Sequence, residues 1–173
     1  HAIADRARWA DLAVVSLAHP PGPQPVARLS SRFGRLLRQC PRPLLVIPRV
    51  SASFSHMLLA YDGSPKADEA MYVAAYLASA WQCPLDVVTV DSKQVTAAIA
   101  AKAREYLSSH GLKATYIHEA GDPAQVLMRA ARKSDCDLLI MGGYGAGATR
   151  EIMIGSVVDE VLRTRNRPVL VCR

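Results

Sequence analysis

Between residues 57 and 173 the chain alternates short apolar runs with longer stretches whose apolar residues recur every three to four positions. Such alternation folds as strand–helix–strand units, because each strand buries its faces and each helix one stripe. Met57 to Tyr61 reads as a strand, and Asp62-Gly63-Ser64-Pro65 after it joins turn residues to a proline suited to a helix's first turn. Ala67, Ala70, Met71, Ala74, Ala75 and Ala78 follow at helical spacing, a small-residue face able to lie close on a sheet. Leu85 to Val90 is a second strand, Val95 to His110 an amphipathic helix and Ala114 to His118 a third strand. Gly121-Asp122-Pro123 opens another helix, Asp137 to Met141 is a fourth strand, a helix starts near Ser156, and Pro168 to Cys172 is the last strand. The expectation is an α/β fold, a doubly wound five-stranded parallel sheet with helices on both faces. Ligands in such sheets sit beyond the carboxyl ends of the strands, where the winding reverses.

The fourth strand runs into a glycine cluster, DLLIMGGYGAGATREIMIGS from Asp137 to Ser156. Backbone N–H groups at Gly142, Gly145 and Gly155 can approach an anion closely, since no Cβ stands in the way. Ser156 adds a hydroxyl at a helix start, where unpaired N–H groups and the positive dipole end favour phosphate. The bland alternative is three turn glycines. No G-x4-G-K-[ST] motif is present, so a P-loop lysine is lacking. Gly143 to Ala148 fits the dinucleotide fingerprint G-x-G-x-x-A, but the next strand ends at Arg173 with no acidic residue after it to hold a ribose. A nicotinamide cofactor is not expected.

The pattern Gly142-x2-Gly145-x9-Gly155-Ser156 resembles the nucleotide-binding signature of the universal stress protein family. The resemblance implies the strand order 3-2-1-4-5, an adenine nucleotide alpha hydrolase-like fold, and a site where the first and fourth strands part. It implies ATP or another adenine nucleotide, with Mg²⁺ as companion ion. By the same resemblance Asp62, in its AYDGSP context, lies at the adenine end, and Val90, Met141, Gly142, Gly145, Gly155, Ser156 and Val157 line the rest. Asp62 as a plain helix cap and Val90 as plain core remain the alternatives. Two positions depart from the family pattern. Tyr144 stands where a histidine or arginine is common, and Val158 replaces a small hydroxyl residue, so the phosphate grip is weaker. No spacing assembles a nucleophile, base and orienter; no catalytic residue is expected, and slow ATP hydrolysis is the most chemistry the resemblance implies.

Residues 1–50 partly repeat this ending. Ala10-Asp11-Leu12-Ala13-Val14-Val15 resembles Cys136 to Met141, and Pro43-Leu44-Leu45-Val46-Ile47 resembles Pro168 to Cys172. The expected division is 1–50 as the last part of a degenerate universal stress domain, 51–56 as linker and 57–173 as a complete domain, with His1 inside a helix and another helix near Leu29 to Gln39. In place of the glycines the first copy has Ser16, His19 and Ser30-Ser31. His19-Pro20-Pro21-Gly22-Pro23 lacks the donors a phosphate uses. The first copy is therefore expected to bind no nucleotide and to dock its last strand and helix on the complete domain, giving a homodimer or an internal pseudo-dimer.

Charge and cysteine usage set the remaining expectations. The net charge of +6 falls entirely in residues 1–50, with eight arginines against Asp5 and Asp11, whereas 51–173 has thirteen basic and thirteen acidic residues. Arg28, Arg32, Arg35 and Arg38 form a stripe that reads as a solvated helix face. No aromatic residues interleave with it, so nucleic acid is not the expected partner. No apolar run approaches the ~20 residues of a membrane helix and no leader pattern opens the chain, so a cytoplasmic location without membrane insertion is expected. Cys40, Cys83, Cys136 and Cys172 are scattered, without metal-ligand spacing, as reduced thiols would be. Two other readings stay open: a scaffold that pairs domains without nucleotide, and a regulatory domain of a larger transporter or kinase.

Overall fold

The computed structural model describes residues 2–16, 32–48, 53–91, 97–143, 157–164 and 166–173. In chain order the elements are α1 (Ala2–Ala7), β1 (Ala13–Ser16), α2 (Arg32–Gln39), β2 (Leu44–Ile47), β3 (Met57–Ala60), α3 (Pro65–Trp81) and β4 (Leu85–Asp91). They continue with α4 (Ala97–Ser109), β5 (Ala114–Ala120), α5 (Pro123–Lys133), β6 (Leu138–Gly142), α6 (157–164) and β7 (Val169–Cys172). His1 and residues 29–31 lie outside the described residues.

All seven strands join one sheet in the order β1-β2-β7-β6-β3-β4-β5. From β5 to β7 this is the expected 3-2-1-4-5 order, and every neighbouring pair within it is parallel. β1 and β2 pair in parallel as well, but β2 meets β7 antiparallel. The sheet is therefore wider than five strands and not purely parallel. Each of β2 and β7 would be an edge strand without the other, and their ladder satisfies both rows of backbone groups.

Period-two alternation divides the strands between two cores. On one face Leu58, Val88, Leu139, Val169 and Val171 pack with Val126, Leu127 and Ala131 of α5 and Val158, Val161 and Leu162 of α6. Leu37, Cys40, Leu44 and Val46, from the N-terminal part of the chain, join the same cluster. On the other face Met57, Leu59, Val87 and Ile140 pack beneath α3 and α4. The alanines of α3 are buried there as expected, and they let its axis lie close to the sheet.

Local chemistry sets the helix starts. Ser64 caps α3 by accepting from the Ala67 N–H at 3.2 Å, with Pro65 behind it, and Gln82 ends the helix in the left-handed region at φ 53°. Asp122 caps α5 in the same way through the Gln125 N–H at 3.0 Å. Two Arg-Pro pairs brace the strands that follow them. Arg167 donates to the carbonyls of Ala131 and Cys136 at the end of α5, and Arg42 donates to the Arg8 carbonyl just past α1.

Candidate functional site

The winding reverses between β3 and β6, which lie side by side with Leu59 opposite Ile140 and Ala60 opposite Met141. β3 leaves the sheet through Tyr61 and turns sharply. Asp62 is exposed, and its Oδ1 accepts from the Ser64 N–H at 2.9 Å. Gly63 sits at φ +75°, a left-handed conformation that favours glycine. The second carboxylate oxygen of Asp62 has no hydrogen-bond partner among the described residues.

Val90, Met141 and Val157 come together on the α5/α6 face of the sheet. Met141 is buried in that core, whereas Ala60, Val90 and Val157 pack against it while remaining partly exposed. Ala13, Val15, Phe33, Leu36 and Ile117 are the other partly buried members of this cluster, and Ala60 and Val90 are the ones at the carboxyl ends of β3 and β4. Partly exposed apolar side chains at strand ends suit a flat heterocycle.

Gly142 ends β6 opposite Cys172 of β7. A Cβ there would stand 2.8 Å from the Lys66 carbonyl carbon and 2.9 Å from the Ala67 nitrogen. The missing side chain makes room for the first turn of α3, so its geometric role is close helix–strand packing. Gly143 is pinned to β7 by donating its N–H to the Cys172 carbonyl, and a Cβ there would meet that oxygen at 2.9 Å. Gly145, Gly155 and Ser156 lie outside the described residues, as does Tyr144.

Several polar contacts here have no signal in the sequence. The buried Tyr61 hydroxyl donates to Asp68 Oδ1 at 2.7 Å, and Lys102 Nζ on α4 approaches Asp68 Oδ2 at 2.6 Å. Burial first, and then the bond to Asp68, push the Tyr61 hydroxyl well above the ordinary tyrosine range. Asp137, at the opposite end of β6, accepts from Ser53 Oγ at 2.7 Å and from the Ser55 and His56 N–H groups at 2.9 and 3.0 Å. Burial pushes its carboxyl up, but the N–H groups of Ser55 and His56 and the two serine hydroxyls outweigh it and hold the pKa at about 2.

Two open hollows lie away from this crevice. One of about 510 Å³ is lined by Ser53, Phe54, Trp81, Gln82 and Cys83 at the amino ends of β3 and β4. The other, about 430 Å³, lies between α1 and β1. Neither includes a residue expected at the site, and the topological argument favours the crevice over both. Among the described residues no group of three or more His, Cys, Asp or Glu side chains could hold a metal ion, and no helix is long and apolar enough to cross a membrane.

The fold defines an open α/β protein whose winding reverses between β3 and β6. Residues 91–173 match the sequence model of the universal stress protein family. A universal stress protein of Synechocystis is 32% identical over 148 residues, covering 84% of this chain and 52% of that protein. A universal stress protein of Archaeoglobus fulgidus superposes with a TM-score of 0.79 at 20% identity, over 98% of this chain and 63% of that one. A universal stress protein solved in complex with cAMP superposes at 0.56 and 23% identity, over 70% of this chain and 99% of that one. These likenesses support the universal stress protein family. The chain spans about half the length of the Synechocystis relative and less than two thirds of the Archaeoglobus structure.

Proposed function

We propose that this chain is a universal stress protein that binds an adenine nucleotide in the crevice between β3 and β6 and reports its occupancy through domain pairing. The observation that supports the reading is that Ala60, Val90 and Val157 stay partly exposed on the core that holds Met141, with exposed Asp62 two residues past the end of β3. The base lies on those side chains. Asp62 accepts from the exocyclic amine, and the phosphates run toward Gly142, Gly145, Gly155 and Ser156. The cAMP complex of a relative shows that a structurally similar protein takes an adenine nucleotide. Mg²⁺ would be held by the phosphates, since the described residues offer no ligand cluster. The site calls for binding, and no catalytic role is assigned to any residue.

Residues 1–50 act in this reading as part of a second, degenerate domain that pairs with the complete one, in a cytoplasmic protein. The β2–β7 ladder supports an internal pseudo-dimer, because it joins the two strands that correspond in the sequence repeat. Photolabelling with an 8-azidoadenosine nucleotide tests the site. Labelled peptides containing Asp62, Val90 or Met141 to Val157 are expected, competed by ATP. Labelling confined to the hollow at Phe54 and Trp81 would contradict the assignment.

A further inference from the structure

We propose that Asp68 is a positioning residue that ties the Asp62 turn to α4. The structural part of this inference stands alone; its consequence for affinity rests on the nucleotide reading above. Asp68 lies in the first turn of α3, and both its carboxylate oxygens are engaged across elements. Oδ1 takes the hydroxyl of Tyr61, the residue immediately before Asp62, at 2.7 Å, and Oδ2 takes Lys102 of α4 at 2.6 Å. Its backbone N–H donates to the Ser64 carbonyl at 2.9 Å, so main chain and side chain grip opposite ends of the turn.

α4 holds the same turn by contact. A Cβ on Gly63 would stand 2.8 Å from Cγ2 of Ile99, so the helix lies directly over the left-handed residue between Asp62 and Ser64. Tyr61 is 2% exposed, whereas Lys102 is half-exposed and free to leave. The network thus has one fixed arm, Tyr61 to Asp68, and one releasable arm, Asp68 to Lys102. A carboxylate that must face an adenine ring within a few tenths of an ångström is only as well placed as its turn.

Asp68→Asn, Lys102→Met and Lys102→Arg test the assignment, read by amide exchange over residues 62–64 without ligand and by the Kd for ATP. In Asp68→Asn, exchange is expected to quicken about tenfold and Kd to weaken about three- to tenfold. Lys102→Met should shift both the same way by less, with Tm within about 2 °C of the parent. Lys102→Arg should restore both. Unchanged exchange in Asp68→Asn overturns the inference whatever the nucleotide result, and so does an unchanged Kd in a parent that binds. Quickened exchange in a parent that binds no nucleotide supports the tie to α4 and overturns the nucleotide reading instead.

Discussion

Leu45 and Leu170 face each other at the centre of the antiparallel joint between β2 and β7, flanked by Leu44 opposite Val171 and Val46 opposite Val169. In the sequence repeat Leu44, Leu45 and Val46 correspond to Val169, Leu170 and Val171. The register therefore exchanges equivalent residues about the Leu45–Leu170 pair, as a local two-fold would. Arg173 reinforces the joint by donating to the Cys40 carbonyl at 3.0 Å.

Leu170 is fully buried at this joint, so Leu170→Ala is expected to cost about 2–4 kcal/mol. Urea denaturation checks it. A loss below about 0.5 kcal/mol would mean that the joint contributes little to the fold.

Gly142→Ala is expected to destabilise by about 1–3 kcal/mol, because the new methyl meets backbone atoms of Lys66 and Ala67 rather than a side chain that can swing away. Thermal unfolding measures it. A neutral result would show that the first turn of α3 shifts freely.

Asp137 links stability to acid. Its folded pKa of about 2 lies below the ordinary value of 3.8, so it contributes stability above pH 4 that is lost as pH falls from about 4 to 2. Allowing for solvent screening, the contribution is on the order of 1 kcal/mol. Asp137→Asn should remove it at neutral pH and flatten the acid limb of the stability curve between pH 4 and 2. A parallel curve, merely displaced, would assign the loss to packing.

Thiol reactivity should separate the four cysteines. Burial pushes Cys172 up to about 12 and Cys136 up to about 11, while Cys83 is raised but partly exposed and Cys40 is buried. At pH 8 an aromatic disulfide reagent is expected to label Cys83 quickly and the others only as the fold opens. Mass mapping that finds Cys40 or Cys172 equally fast would contradict the described packing.

The sequence carries those parts of the fold that one element dictates by itself. Met57, Leu58 and Leu59 announce a strand buried on both faces, and the spaced alanines of α3 announce a helix close to the sheet. Ala10 to Val15 resembles Cys136 to Met141, and Pro43 to Ile47 resembles Pro168 to Cys172, which is what suggests a repeat. Strand direction at the β2–β7 joint was not legible, since a short apolar run pairs equally well either way. The packing role of Gly142 depends on a helix some 75 positions away in sequence. Asp137 reads locally as a strand start, yet its partners Ser53, Ser55 and His56 lie 81 to 84 positions earlier. Val90, Met141 and Val157 are singled out by the family resemblance alone, because a strand valine carries no mark of what it faces. Lys102 and Asp68 are 34 positions apart, and no local pattern joins them.

Calorimetric titration of the chain with ATP and Mg²⁺, beside a Gly155→Val, Ser156→Ala double variant, decides whether the chain binds nucleotide at the glycine loop. Saturable binding near one site per chain is expected in the parent and none in the variant. No heat from a parent that mass spectrometry shows to be free of nucleotide would contradict it, and would leave a pairing scaffold whose glycines serve only its turns.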